Sequence, residues 1–188
     1  MNFIEIFDNA VPSEECKSIV TYFDDHKNEH QQGTVGHKGV VNRKYKDTLE
    51  LPGRLFTNMT FIEKALLEPI AKGTAKYIDK YKEITGHIAR WDLENGYNLQ
   101  KYNPGSAYWI PHTEHSSIAS GNRILVWMIY LNTVSDGGGT KFTCYDETIN
   151  AKEGRLVIWP AGWTHTHHGC VSPTEYKYIA TGWYSFQE

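Results

Sequence analysis

RILVWMIYLN (123–132) and the short runs on either side of it decide the fold class. Upstream stand YNLQKYN (97–103) and SAYWIPHTE (106–114). Downstream come GTKFTCY (139–145), RLVIWP (155–160), WTHTHHG (163–169) and YKYIATGWYSF (176–186). These runs are rich in aromatic and β-branched residues, are punctuated by Gly, Asn and Pro, and carry no helical period, so each predicts a β-strand. Seven strands in about ninety residues with no helix among them predict a double-sheet antiparallel architecture of the jelly-roll type.

The chain before Asn95-Gly96 has another texture. FIEIF (3–7) alternates apolar and polar side chains and predicts a short strand. PSEECKSIVTYFDDH predicts a helix from Pro12 or Ser13, with Glu14 and Glu15 where the helix dipole favours them and Ile19, Val20, Tyr22 and Phe23 as its buried stripe. HQQGTVGHKGVVNRKYK (30–46) holds three glycines and no period, and reads as a mobile loop of the kind that can serve as an active-site lid; His37 reads as solvent-exposed. Residues 60–83 have helical periodicity interrupted by Pro69 and Gly73, giving one kinked helix or two, with Leu66, Leu67, Ile70, Tyr77, Ile78 and Tyr81 inward. The expectation is a mainly β (α+β) protein: a double-stranded β-helix with N-terminal supporting helices. Residues 1–188 form one domain, in which 1–95 are helical support with the loop and 96–188 the core carrying the site.

Composition limits the function classes. A chain of 188 residues is long enough for one sizeable core. The net charge of −3, with both signs dispersed, offers no even basic field for phosphates, so nucleic acid is not an expected partner. Three cysteines without close spacing suggest a reducing compartment. No secretory signal is read in MNFIEIFDNAVPSEE, and no run approaches a membrane span, so a cytoplasmic protein without membrane contact is expected.

Five of the nine histidines fall in two windows, at 112 and 115 and at 165, 167 and 168. In an extended strand His112 and Glu114 share one face, and so do His165 and His167. Two imidazoles and a carboxylate from neighbouring strands make the set that holds Fe(II) on one octahedral face and leaves three positions open. Roughly one His-x-Asp/Glu is expected by chance in such a composition, so it is the clustering that carries weight. Alternation does not choose between His165 and His167.

LQKYNPGSAYWIPHTE, MIYLNTVSDGGGTKF, EGRLVIWPAGWTHTHHG and KYIATGW, in that order, resemble the 2-oxoglutarate- and Fe(II)-dependent dioxygenases of the prolyl 4-hydroxylase type, including their small bacterial and phage-encoded members. The resemblance runs from IFDNAVPSEEC to the last strand and is strongest from Leu99 to Trp183. It implies His112, Glu114 and His167 as iron ligands. His167 is favoured over His165 because the family carries a basic residue about ten positions after the distal ligand, for the far carboxylate of 2-oxoglutarate, and Lys177 stands there. Tyr102, Tyr130 and Thr181 are similar to positions that bind the co-substrate. Trp183, Trp109, His165 and His115 correspond to walls of the substrate pocket. Two departures stand out: the family has Asp where this chain has Glu114, and its tyrosine three before the first ligand is replaced by Trp109, with Tyr108 beside it.

The resemblance further implies hydroxylation of a C–H bond, foremost in a prolyl residue of a peptide or protein, with O2 consumed, succinate and CO2 released, and ascorbate as an auxiliary reductant. Fe(II) at +2, Glu114 at −1, 2-oxoglutarate at −2 and Lys177 at +1 sum to zero, whereas a buried anion without the lysine would be costly. Alternatives are a hydroxylase of a free amino acid or other small metabolite and a non-catalytic metal-binding β-sandwich, for which zinc also accepts a His2Glu set. A halogenase is disfavoured, since Glu114 occupies the position that a halide would need.

Overall fold

The computed structural model describes residues 1–36, 39–57 and 60–187. A short strand β1 (Glu5–Phe7) leads into helix α1 (Ser13–Asp25), followed by β2 (Gln31–Gln32), β3 (Leu49–Arg54), helix α2 (Phe61–Lys80) and the short α3 (Glu83–Gly86). The rest is β4 (Trp91–Tyr102), β5 (Arg123–Tyr130), β6 (Thr140–Phe142), β7 (Glu147–Ile149), β8 (Leu156–Pro160), β9 (His167–Gly169) and β10 (Lys177–Phe186). A seven-stranded sheet runs β1-β8-β5-β10-β4-β3-β2, and a three-stranded sheet β7-β6-β9 lies against it, with every pairing antiparallel. The fold is the double-sheet jelly-roll that the sequence predicts.

Alternation along the central strands sorts side chains between two cores. Leu125, Trp127 and Ile129 of β5, Leu156 and Ile158 of β8 and Ala180 and Tyr184 of β10 face the helices, meeting Ile19, Phe23, Leu66, Ile70 and Tyr77. Val126, Met128, Tyr130, Val157, Trp159 and Ile179 face the smaller sheet and pack with Phe142 and Ile149. Each fully buried aliphatic side chain contributes about 1.5–3 kcal/mol. The helices therefore brace one face of the large sheet and leave the other for the site.

Helix α2 begins at Thr60, whose hydroxyl accepts the Glu63 amide, and runs through Pro69 as one helix. Gly73 lets it lie close on β8: a Cβ there would stand 2.5 Å from Leu156 Cδ2. In α1 the fully buried residues are Cys16, Ile19 and Phe23, with Val20 and Tyr22 half-buried.

Several strands differ from expectation. The N-terminal half adds to the large sheet not only the expected β1 but also β2 and β3, which fall in stretches not read as strands. Pro52-Gly53 hides β3 in the sequence, yet β2 pairs only with Leu49 and Glu50, so Pro52 lies where β3 is already an edge and no donor is missed. Asn95-Gly96 lies inside β4 and is not a turn between elements. SAYWIPHTE forms no regular strand: its ladder pairing is limited to isolated bridges, Tyr108 with Lys46 and His112 with His167. In 30–46, β2 and a Val35–Val40 bridge break up the loop, and His37 lies outside the described residues. Cys16, Cys144 and Cys170 are free thiols, and among the described residues no helix is long and apolar enough to cross a membrane.

Candidate active site

His112 and His167 meet through a two-way backbone bridge, the amide of each donating to the carbonyl of the other at 2.9 Å. That bridge closes the separation of about fifty residues and puts both rings on one side, 4.4 Å apart at their centroids. Glu114 follows, its segment turned in by the Thr113 hydroxyl, which donates to the Ala161 carbonyl at 2.7 Å. Glu114 Oε1 lies 3.5 Å from His112 Nε2 and 3.7 Å from His167 Nε2, and one ligand atom from each of the three residues falls within 4.8 Å of the others.

Both imidazoles are oriented through Nδ1. His112 Nδ1 donates to the Ile110 carbonyl at 3.0 Å and His167 Nδ1 to the His165 carbonyl at 2.9 Å, the tautomer that leaves each Nε2 lone pair free toward the shared space. Tyr108 stacks on His112 at 3.7 Å. Burial, reinforced by repulsion from His167, lowers the His112 pKa despite the pull of Glu114, and keeps that ring neutral. Burial alone would raise the Glu114 carboxyl, but the two imidazoles, whose Nε2 atoms donate to it when the rings take up a proton, outweigh that and hold it well below the usual range. Two imidazole nitrogens and one carboxylate make a donor set for a divalent transition metal.

The three residues open on a cavity of about 470 Å3 between the sheets. Lys177 stands in its wall, 4% exposed, opposite Tyr102 in the β10–β4 register, with its ammonium 4.4 Å from the Tyr102 ring centroid. Burial pushes its pKa down to about 8, and no hydrogen bond or ion pair is found for the ammonium among the described residues. Tyr102 hydrogen-bonds Gln100 at 2.8 Å, and Thr181 lines the same wall while donating to the Trp127 carbonyl. Trp183 also lines the cavity and donates its indole N–H to Glu114 Oε2 at 3.0 Å.

Four residues expected at the site lie elsewhere. Tyr130 is buried outside the cavity lining, its hydroxyl 2.7 Å from the Thr140 hydroxyl and donating to the Ile149 carbonyl. His165 falls in a 3-10 turn (Trp163–His165), so strand alternation fails there and its Nε2 turns to the Asn2 carbonyl at 2.8 Å. Trp109 is half-buried with its amide on the Tyr45 carbonyl, and His115 is exposed; neither lines the cavity. Where the resemblance places Trp109, the structure puts Tyr108.

Other lining residues carry little or no signal in the sequence. Arg123 reaches Glu114 Oε2 at 3.4 Å, and a lone charge at the head of an apolar strand was its signal. Gln100 shares the inward period of Tyr102. Lys46 and Glu50, paired at 2.5 Å with Gln100 donating to the same carboxylate, come from a region without strand texture.

Residues 97–185 match the family described as the 2OG-Fe(II) oxygenase superfamily. The chain is 27% identical over 92 residues to a prolyl 4-hydroxylase subunit alpha-1 of Caenorhabditis elegans; that stretch is 44% of this chain and 16% of the relative's length, so the chain spans only a small part of the relative it matches. The viral collagen prolyl hydroxylase of Paramecium Bursaria Chlorella virus-1, in its 2OG complex, superposes with a TM-score of 0.66 at 15% identity, covering 99% of this chain and 97% of that one. A prolyl hydroxylase from Trichoplax adhaerens, in complex with a hypoxia inducible factor peptide fragment, gives 0.73 at 14% identity, covering 98% and 84%. At such identities the structural likeness establishes the fold.

Proposed function

We propose that this chain, whose residues 97–185 match the 2OG-Fe(II) oxygenase superfamily, is an oxygenase of the prolyl 4-hydroxylase type that hydroxylates a C–H bond of a prolyl residue in a peptide or protein. His112, Glu114 and His167 fit Fe(II) by donor type, tautomer and charge, and Lys177 with Thr181 and Tyr102 fits 2-oxoglutarate. Once bound, iron and 2-oxoglutarate supply O2-driven C–H hydroxylation with release of succinate and CO2, ascorbate keeping the iron reduced. The rest falls to the protein. Lys177 fixes the far carboxylate, the backbone carbonyls of Ile110 and His165 hold the imidazoles in register, and the sandwich walls keep water out. Residues 1–188 act as one domain in this reading.

The observation that carries it is Lys177. An ammonium buried between two sheets with no acceptor among the described residues needs an anion, and a dicarboxylate held at the metal centre would supply one. A structural zinc site would not require it. The peptide reading draws support from the fold shared with the peptide-bound Trichoplax adhaerens enzyme. The test is an anaerobic titration with Fe(II) and then 2-oxoglutarate. A visible charge-transfer band is expected and, once O2 is admitted, a one-oxygen mass gain in proline-containing peptides; folded protein without the band would exclude the co-substrate, and a band without peptide oxidation after O2 is admitted would turn the search to small metabolites.

A further inference from the structure

Glu114 is gripped from behind. Oε1 faces the imidazoles, whereas Oε2 accepts the Trp183 indole N–H at 3.0 Å and a guanidinium N–H of Arg123 at 3.4 Å. The guanidinium is itself fixed, since its carbon lies 3.7 Å from the Trp183 ring centroid and its Nε 3.5 Å from Glu94 Oε1. The Ser185 hydroxyl hydrogen-bonds that same Glu94 oxygen. Strand register builds this arrangement. Ser185 pairs with Arg123 across β10 and β5, and the irregularity between Gly182 and Tyr184 leaves Trp183 without a β4 partner, turned toward Glu114.

A carboxylate whose second oxygen is already held by an indole and a guanidinium offers a metal one oxygen. Glutamate is also one methylene longer than the aspartate of the related family, so an Asp on this backbone stops about 1.5 Å short and cannot meet both the clamp and the imidazole side. We propose that Arg123 and Trp183 are positioning residues that lock Glu114 as a one-oxygen ligand and make this centre demand Glu in place of Asp. The proposal rests on His112, Glu114 and His167 forming the metal centre.

The experiment is Co(II) titration of the metal-free protein, followed by calorimetry and by the visible Co(II) spectrum, with a thermal melt to establish folding. Wild type and His112→Ala come first. If wild type binds no Co(II), or His112→Ala binds it equally well, the metal centre itself is refuted. With that arm secure, Arg123→Met and Trp183→Phe should each weaken Co(II) about tenfold or more, in the range seen for residues that orient metal ligands. Arg123→Met should also alter the Co(II) spectrum, and Arg123→Lys should recover part of the loss. Glu114→Asp should weaken binding at least as much, and adding Arg123→Met to it should cost nothing further, because the shorter carboxylate has already left the clamp. Affinities within twofold of wild type in both clamp variants, wild-type affinity in Glu114→Asp, or simple additivity of Glu114→Asp and Arg123→Met would each overturn the proposal.

Discussion

Lys177→Met sets binding against stability at a single atom. Without co-substrate, burial holds the ammonium pKa at about 8, against an ordinary 10.5. At about 1.4 kcal/mol per tenfold in proton affinity, keeping that nitrogen charged costs the fold about 3 kcal/mol. Because the folded-state pKa is the lower one, the unfolded chain binds the proton more tightly. The penalty is complete below about 8, shrinks as pH rises toward 10.5 and is gone above it. Methionine keeps most of the length and none of the charge, so at pH 7 the metal-free variant should be more stable than wild type by up to about 3 kcal/mol, at about 2–4 °C per kcal/mol for a chain of this size. At pH 10 the gap should narrow to about 1 kcal/mol. The same variant should lose 2-oxoglutarate affinity by about a hundredfold, since removing one partner of a buried charge pair costs about 3 kcal/mol. Its Fe(II) affinity should hold, because Lys177 is no metal ligand. Thermal melts at the two pH values, with the charge-transfer titration, read all three quantities. A variant less stable than wild type at pH 7, or one that binds 2-oxoglutarate as before, would refute the reasoning.

His112→Ala, Glu114→Ala and His167→Ala should each abolish turnover and metal binding while the far-ultraviolet circular dichroism spectrum stays native, because the 112–167 bridge is made by backbone atoms; full activity in any one would remove that residue from the ligand set. His165→Ala should retain the metal and lose about 1–3 kcal/mol of stability in a denaturant titration, since it leaves the Asn2 carbonyl and a buried site unfilled. In the metal-free protein the His112 ring, followed by NMR, should take up its proton below the ordinary imidazole value of 6.5, because burial lowers its pKa; a midpoint above 6.5 would contradict the burial of that ring.

The elements legible in the sequence were those whose period matches their burial. β5, β8 and β10 each separate two apolar faces, and α1 and α2 carry one inward stripe, so alternation or helical spacing identifies them. Where tertiary contacts decide, the sequence is mute. β3 depends on Pro52 lying past the end of β2, and β7 on its pairing with β6. His165 and His167 look equivalent by period, but the 3-10 turn at Trp163–His165 sends one to the N-terminal segment and the other into the cavity. Arg123 was legible only as an oddity. Its meaning needs Glu114, Glu94 and Trp183, which sit on three other segments of the chain.

The segment that carries His112 and Glu114 is irregular, yet its backbone is bonded from both sides. On one side Asp47 N donates to Ala107 O at 3.0 Å and Trp109 N to Tyr45 O at 2.9 Å; on the other Gly169 N donates to Tyr108 O at 2.8 Å and His115 N to Ala161 O at 3.0 Å. Tyr45 and Asp47 on one side, and β9 with Ala161 just past β8 on the other, thus act as the two neighbours that a strand would have had. Asp47 anchors the first of these, accepting from Arg43, Gln32 and Ser106. Beneath the segment, the Lys46 ammonium lies 5.1 Å from the Tyr108 ring centroid, and Tyr108 stacks on His112. Pro111 could sit in no central strand, and a regular strand would have carried 112 and 114 along one sheet with nothing to turn them toward 167. Irregular backbone held by strand-like bonding resolves that conflict, because it lets ligands from a loop stand as fixed as ligands from a sheet.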